Sequence, residues 1–400
     1  MTWITSAVRL VQLKTTASIS VMMRPRFWLI FYNLGDNTQF LINFATKITK
    51  EMKKSKNSKK TSKGLRWSLI VLALLAIAIF GVYYYYLQTP LSAEKETQYV
   101  YIDKDDNVDS VYTKIAALAK PYAMKGLKAL ANFKGYGDNV KRGRYELNTK
   151  VSARKMANIL MRGEQTPLNV PIPSARTLDR LAAVVGKKLE LDSLELYQML
   201  TDPAICERYG YNTQTIASMF IPDSYNMYWT VSAEEFLDRM KKEHDKFWTE
   251  ERLAKAKALD MTPVEVSTLA SIVSEETNAT QEKPAVAGLY INRLKKGMLL
   301  QSDPTVKFAL QDFGIRRILN RMLATDSPYN TYKYEGLPPG PIRIPMKEDL
   351  DAVLNYQKHD YIYMCAKEDF SGTHNFARTA AEHQANAQKY HRALNERGIR

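Results

Sequence analysis

Residues 262–277 read TPVEVSTLASIVSEET. Thr262 can cap a helix, Pro263 suits the first helical position, and Glu265 can reach back to close a capping box. Leu269, Ile272, Val273 and Glu276 then follow i, i+3, i+4, i+7, so a carboxylate shares the apolar face. Glu275 is turned about 100° away and is expected to reach water. A carboxyl against an apolar wall loses solvation, which raises its pKa and keeps it protonated nearer neutrality. A general acid needs that property. The competing reading is a glutamate that merely ends the stripe at a frayed terminus, paired with a basic residue.

Downstream, Pro284 opens a second helix with Val286, Leu289, Tyr290 and Leu294 on its apolar face and Gly297 as a left-handed stop. In MLLQSDPTV (298–306), Asp303-Pro304 reads as an N-cap followed by a first-turn proline, leaving Gln301 and Ser302 on the connecting loop. SPYNTYKYEGLPPGPI (327–342) holds four prolines and two glycines and cannot be a helix or central strand. It suits the presentation of Tyr329, Asn330 and Tyr332 to a sugar. The alternative is a surface turn with its tyrosines packed beneath. Residues 360–366 alternate like a strand, and His374 follows. His383 and His391 lie i, i+8 on a further helix, but with no HExxH and no cysteine pair nearby no metal site is assigned. A Gly-rich phosphate loop and a G-x-S-x-G elbow are both absent.

Upstream, residues 99–102 and 144–147 read as strands, and 111–118 and 152–160 as helices, ended in the second case by Gly163. That is a small α+β module. Residues 91–98 read as a polar linker. A strand at 168–172, helices at 177–189 and 193–200, a turn-rich aromatic stretch at 220–229 and a charged amphipathic segment at 233–257 complete the chain.

The formal net charge is +15 over 400 residues, of which +11 falls in residues 1–66. The body is therefore nearly neutral, and a nucleic-acid partner is not supported. Trp67–Leu87 is apolar and uncharged, and at ~1.5 Å per residue it spans about 30 Å of bilayer. With lysines before it, the positive-inside rule places the N-terminus in the cytoplasm and the body outside. Residues 1–51 read as a start-site error with Met52 as the natural start; the alternative is a cytoplasmic extension. Two cysteines, Cys206 and Cys365, exclude a disulfide scaffold.

LASIVSEET (269–277), VAGLYINRLKKGMLLQSDPTV (286–306), SPYNTYKYEGLPPGPI and YIYMCAKEDFSGTHNFARTAAEH (361–383) together resemble the endolytic murein transglycosylases, the YceG-like family of membrane-anchored peptidoglycan lyases. FIPDSYNMYW (220–229) resembles that family's aromatic segment, and the module with RGRYEL (142–147) its LysM-like subdomain. The resemblance implies an α+β architecture: a basic tail (1–66), one transmembrane helix (67–87), a linker (88–97), a LysM-like subdomain (98–165) and a mixed α+β catalytic domain (166–400). It carries the catalytic glutamate to Glu276. Relatives often have Glu-Lys before it; here Ser274 and Glu275 stand instead, and the extra acid is expected to raise the Glu276 pKa further. Gln301, Ser302, Asp303, Tyr329, Asn330, Thr331, Tyr332, His374, Asn375 and Phe376 match cleft motifs and are expected to bind substrate. NVPIPSARTLDRLA (169–182) lacks the family's usual turn glycine.

The implied reaction is non-hydrolytic cleavage of the N-acetylmuramic acid β-1,4-N-acetylglucosamine bond of nascent strands. A 1,6-anhydro ring forms, elongation terminates beside peptidoglycan synthases at the inner membrane, and no cofactor is needed. The alternatives are a lysozyme-like hydrolase using Asp303 as second carboxylate, or a non-catalytic peptidoglycan-binding division scaffold.

Overall fold

A computed structural model describes residues 63–315 and 317–398. The N-terminal tail, and with it the question of the start, lies outside the described residues. In chain order the first elements are α1 (Lys63–Tyr83), β1 (Gln98–Ile102), α2 (Val108–Ala116), α3 (Pro121–Phe133), β2 (Gly143–Leu147) and α4 (Ala153–Arg162). Next come β3 (Leu168–Ile172), α5 (Leu178–Gly186), α6 (Ser193–Thr201), α7 (Pro203–Arg208), β4 (Asp223–Met227), α8 (Ala233–Phe247) and α9 (Glu250–Ala258). The last are α10 (Pro263–Glu276), α11 (Lys283–Lys295), α12 (Asp303–Leu310), α13 (Asn320–Leu323), α14 (Lys347–Leu354), β5 (Tyr363–Ala366), β6 (His374–Ala377) and α15 (Ala380–Glu396). Helices thus alternate with three two-stranded sheets, β1–β2, β3–β4 and β5–β6, the mixed α and β content expected from the sequence. Two compact units divide the chain: residues 63–98, 112–139 and 147–161 form one, and 99–111, 140–146 and 162–398 the other.

In the first unit, α1 continues into a π turn at Tyr84–Gln88. Trp67–Gln88 is the one segment among the described residues long and apolar enough to cross a membrane. The π turn meets α3, where a Cβ on Gly126 would stand 2.1 Å from the Tyr86 carbonyl oxygen. Close backbone approach therefore accounts for a glycine in mid-helix. That glycine also hides α3 from sequence reading, which placed one helix between the strands where there are two. The expected polar linker is tied down at its start: Leu91 is buried, donates to Val151 O at 2.8 Å and accepts from Lys120 N at 2.9 Å.

The second unit holds two apolar cores. One gathers β3, β4, α5, α6, α7 and α8. In its two-stranded sheet, Leu168 to Ile172 run antiparallel to Met227 to Asp223, and Val170, Ile172, Tyr225 and Met227 turn inward. The other core surrounds α10 with α11, α14 and the end of α8. Thr262 and Glu265 close the capping box expected for α10. Val266 to Ser274 are all buried, so the helix is enclosed on every side rather than amphipathic. Two of its buried polar residues are satisfied locally. Thr268 Oγ1 donates to Val264 O at 2.8 Å. Ser271 Oγ donates to Thr268 O at 2.7 Å and accepts from Ile342 N at 3.0 Å. The second bond fastens the end of the proline-rich loop to α10. At the start of α11, Lys283 pairs at 2.5 Å with the fully buried Asp349 of α14.

Gly288 lets α11 pass against the chain after α14, because a Cβ there would lie 2.3 Å from Gln357 O. Gly288→Ala is expected to destabilise the protein by about 1–3 kcal/mol, the usual cost of overpacking. Chemical denaturation measures it, and a variant as stable as the wild type would refute the contact.

Candidate active site

The last residue of α10 is Glu276. Its hydrogen-bond partners come from two segments that the sequence separates. Tyr290, on the inward face of α11, donates its hydroxyl to Glu276 Oε1 at 2.7 Å. Ser302, just before α12, donates to the same oxygen at 2.5 Å. Oε2 takes part in neither bond. The residue keeps an opening to solvent, while its carboxyl is packed among protein atoms. Burial raises its pKa above the ordinary glutamate value. The Ser302 and Tyr290 hydroxyls oppose that rise by favouring the carboxylate, as does charge on His374, whereas Asp303 adds to it. Loss of solvation wins this balance. The same surroundings push the Tyr290 phenol well above its ordinary value, chiefly by burial.

Ser302 is held in turn. Its N–H donates to Thr331 Oγ1 at 3.0 Å. Thr305 Oγ1 bonds Thr331 Oγ1 at 2.8 Å and donates to Ser302 O at 2.7 Å. All three residues are buried. Arg293, buried in the last turn of α11, donates to Leu300 O at 2.8 Å and, on its other side, to Ile362 O at 2.6 Å. This frame places Gln301 at φ +52°, a left-handed backbone that a residue with a side chain adopts only under constraint.

Asp303 differs from expectation. Ser302, not Asp303, occupies the N-cap position of α12, and its hydroxyl goes to Glu276 instead of capping. Asp303 is the first helical residue, exposed, where the helix dipole favours an acid. It accepts from the Tyr332 hydroxyl at 2.6 Å. Burial and that bond raise the Tyr332 pKa.

The structure therefore joins Glu276, Ser302, Asp303 and Tyr332, with Thr331 beneath them and Gln301 exposed at the edge. Tyr329 and Asn330 follow the alternative reading of their loop. Tyr329 packs on Phe308 at 4.7 Å and burial pushes its pKa up to about 12. Asn330 is buried and donates to Leu323 O and Thr325 O at 2.9 and 2.8 Å, shaping the turn. In β6, His374 Nδ1 and N–H contact the two carboxylate oxygens of Glu282 at 2.9 and 2.6 Å. Asn375, on the opposite strand face, donates to Glu368 Oε2 at 2.6 Å. Phe376 stacks on Tyr361 at 5.6 Å. His383 stacks on Tyr363 at 5.3 Å.

Glu275 keeps partial access to solvent, as expected, but its carboxylate is held in a clamp. Its carboxylate accepts from Arg176 at 2.6 and 2.9 Å and from Arg343 at 3.0 Å. It is not the acid that raises the Glu276 pKa; Asp303 has that role. Two guanidinium groups pair with Glu275 where it stands. The clamp ties α10 to the turn after β3 and to the proline-rich loop, and Arg343 also donates to Ser174 Oγ and Ser174 O at 3.0 and 3.2 Å. Side-chain and backbone bonds thus define the turn that lacks a glycine. Sequence reading missed Tyr290 as a partner of Glu276, along with Arg293, Glu282 and both clamp arginines. The signal available was slight: a tyrosine in a stripe of aliphatic residues.

Residues 100–389 match the model of the YceG-like family. Over 130 residues, 32% of this chain, the sequence is 41% identical to the endolytic murein transglycosylase of Bacillus subtilis, covering 35% of that protein. Over 357 residues, 80% of this chain and 64% of the relative, it is 26% identical to the endolytic murein transglycosylase of Streptococcus pneumoniae serotype 2. The chain thus spans about a third of one curated relative and just under two-thirds of the other. A crystal structure of a YceG-like protein from Listeria monocytogenes is 26% identical, with a TM-score of 0.48, covering 73% of this chain and 99% of that one.

Because the folded pKa of Glu276 is raised, the folded state holds a proton that the unfolded chain would release. Stability therefore falls as pH rises from the ordinary glutamate value, about 4.3, through the folded one. Glu276→Gln removes that loss and keeps an oxygen for both hydroxyl donors. The variant is expected to melt higher than the wild type at pH 7, with the gap closing below about pH 4. A variant that is less stable at every pH would contradict the electrostatic account.

Proposed function

Because this chain belongs to the YceG-like family, we propose that it is an endolytic peptidoglycan lytic transglycosylase with Glu276 as its catalytic acid. The observation that carries this reading is the carboxyl itself: pKa raised by burial, one oxygen held by Tyr290 and Ser302, the other left for a substrate. Protonated Glu276 gives its proton to the glycosidic oxygen as the bond from the muramic acid anomeric carbon breaks. The resulting carboxylate takes the proton of the muramic acid 6-hydroxyl, whose oxygen closes the 1,6-anhydro ring. One carboxyl serves as acid and then base because the nucleophile belongs to the substrate. The hydroxyls of Tyr290 and Ser302 favour the charged form, so they stabilise the carboxylate left after the first transfer.

The segment Trp67–Leu87 anchors the protein in the inner membrane. The lysines before it keep the N-terminus inside and place the catalytic part outside. There it terminates nascent strands beside the peptidoglycan synthases. The order β1, α2, α3, β2 fits a LysM-like wall-binding module, with Gln301, Asp303, Tyr332 and His374 meeting the glycan.

A hydrolytic reading has one observation in its favour, since the charge of Asp303 acts on Glu276 and a second carboxylate could activate water. Its Oδ1 accepts from Tyr332, which suits holding substrate better. Digestion of purified peptidoglycan by the detergent-solubilised full chain decides between them. Mass spectrometry is expected to find 1,6-anhydro ends, reduced about 10²–10⁴-fold in Glu276→Gln. Reducing ends carrying an added water would establish hydrolysis. Wall binding without products from either protein would establish a scaffold.

Tyr290→Phe removes a donor that favours the carboxylate. The descending limb of kcat/KM against pH is therefore expected to move to higher pH, and a limb that moves down or stays in place would separate Tyr290 from the titration of Glu276.

A further inference from the structure

Beside the Glu275 clamp lies a cavity of about 250 Å³, between the turn after β3, α6 and the end of α12. Its volume is below the roughly 300–1,000 Å³ of a whole small-molecule site, which suits a short branch better than the glycan itself. Arg176, Arg343 and Asp179 line it, and Tyr197, Tyr329 and Gln311 supply aromatic and amide walls. Arg176 and Phe308 also line a cleft of about 30 Å³ that includes Glu275, Pro304 and Lys307. Glu275 and Pro304, which line that cleft, are the chain neighbours of Glu276 and Asp303.

The charges are unequal. Glu275 accepts from both arginines, so one carboxylate faces two guanidinium groups and one positive charge is left over. Lys307 adds a second cation in the connecting cleft, and Asp179 is an exposed acid on the larger cavity. A ligand fitted to this wall carries a carboxylate toward the arginines and an amine toward the aspartate, joined by a backbone that amides can bond. Short peptides combine all three, whereas a glycan strand stripped of its stems offers lactyl carboxylates and acetamido groups but no amine.

We infer that this cavity binds the peptide stem carried by the glycan strand, with a stem carboxylate on Arg176 and Arg343 and a stem amine on Asp179. The inference rests on the proposed peptidoglycan substrate. Arg176 and Asp179 become specificity residues, setting which strands are cut while Glu276 performs the chemistry.

The test compares the detergent-solubilised full chain on stem-bearing peptidoglycan and on the same strands stripped of their stems by an amidase. The quantity read is the ratio of the two kcat/KM values. The wild type is expected to favour stem-bearing strands by at least about tenfold, the effect of one charge-assisted contact. Arg176→Met should bring the ratio near one. It also loosens Glu275, so Asp179→Asn, which lies outside the clamp, is measured beside it and should lower the ratio ~fivefold. A wild-type ratio near one, or a preference that both variants keep, would overturn the inference. Binding of a labelled stem peptide is measured on the same proteins. If neither strand yields products, the enzymatic reading fails; peptide binding weakened by Asp179→Asn would still support the cavity, and no peptide binding would overturn it.

Discussion

A carboxyl sits at the end of a helix enclosed on every side, packed among protein atoms at the edge of solvent. Much of the second unit follows from that placement. α10 must be apolar or locally satisfied along its length, and the Thr268 and Ser271 hydroxyls bond within the helix and to the loop laid over it. Glu276 must then find its partners beyond the helix end. It takes them from α11 and from the residue before α12, which holds both elements against α10. Ser302 gives up its capping bond to do this, and the left-handed backbone at Gln301 accompanies that choice.

Neighbouring glutamates meet opposite fates here. Glu275 is ringed by two guanidinium groups and works as a fixed negative post that joins α10 to the turn after β3. Glu276, one residue on, faces hydroxyls and apolar walls and has its proton affinity raised. Helical rotation of about 100° separates the two environments. Environment rather than residue type sets what each carboxyl can do.

Local rules were legible in the sequence, and long-range partnerships were not. The capping box at Thr262, the stop at Gly297, the strand at 168–172 and the strand expected at 360–366, formed over 363–366, each depend on a few adjacent residues. Helical phase alone singled out Glu276. The residues that hold it are 14 and 26 positions away, and no periodicity links them. Arg176 lies 99 residues from Glu275, so the neighbouring acid was read as a second influence on Glu276 when it is a clamp. Tyr329 and Asn330 were ambiguous for a related reason, since a proline-rich loop shows its residue types but not which side faces the core. α3 was obscured by Gly126, whose purpose appears only when the Tyr86 backbone is seen against it.

The central claim is that Glu276 holds its proton more tightly than an ordinary glutamate. Infrared difference spectroscopy of the full chain, wild type minus Glu276→Gln, reads the protonated carboxyl band directly as pH is varied. The account predicts a band that persists above pH 4.3, the ordinary value, and titrates away at a higher midpoint. A band already lost at or below that value would mean that the Tyr290 and Ser302 hydroxyls outweigh burial, and the general-acid assignment would fall with it.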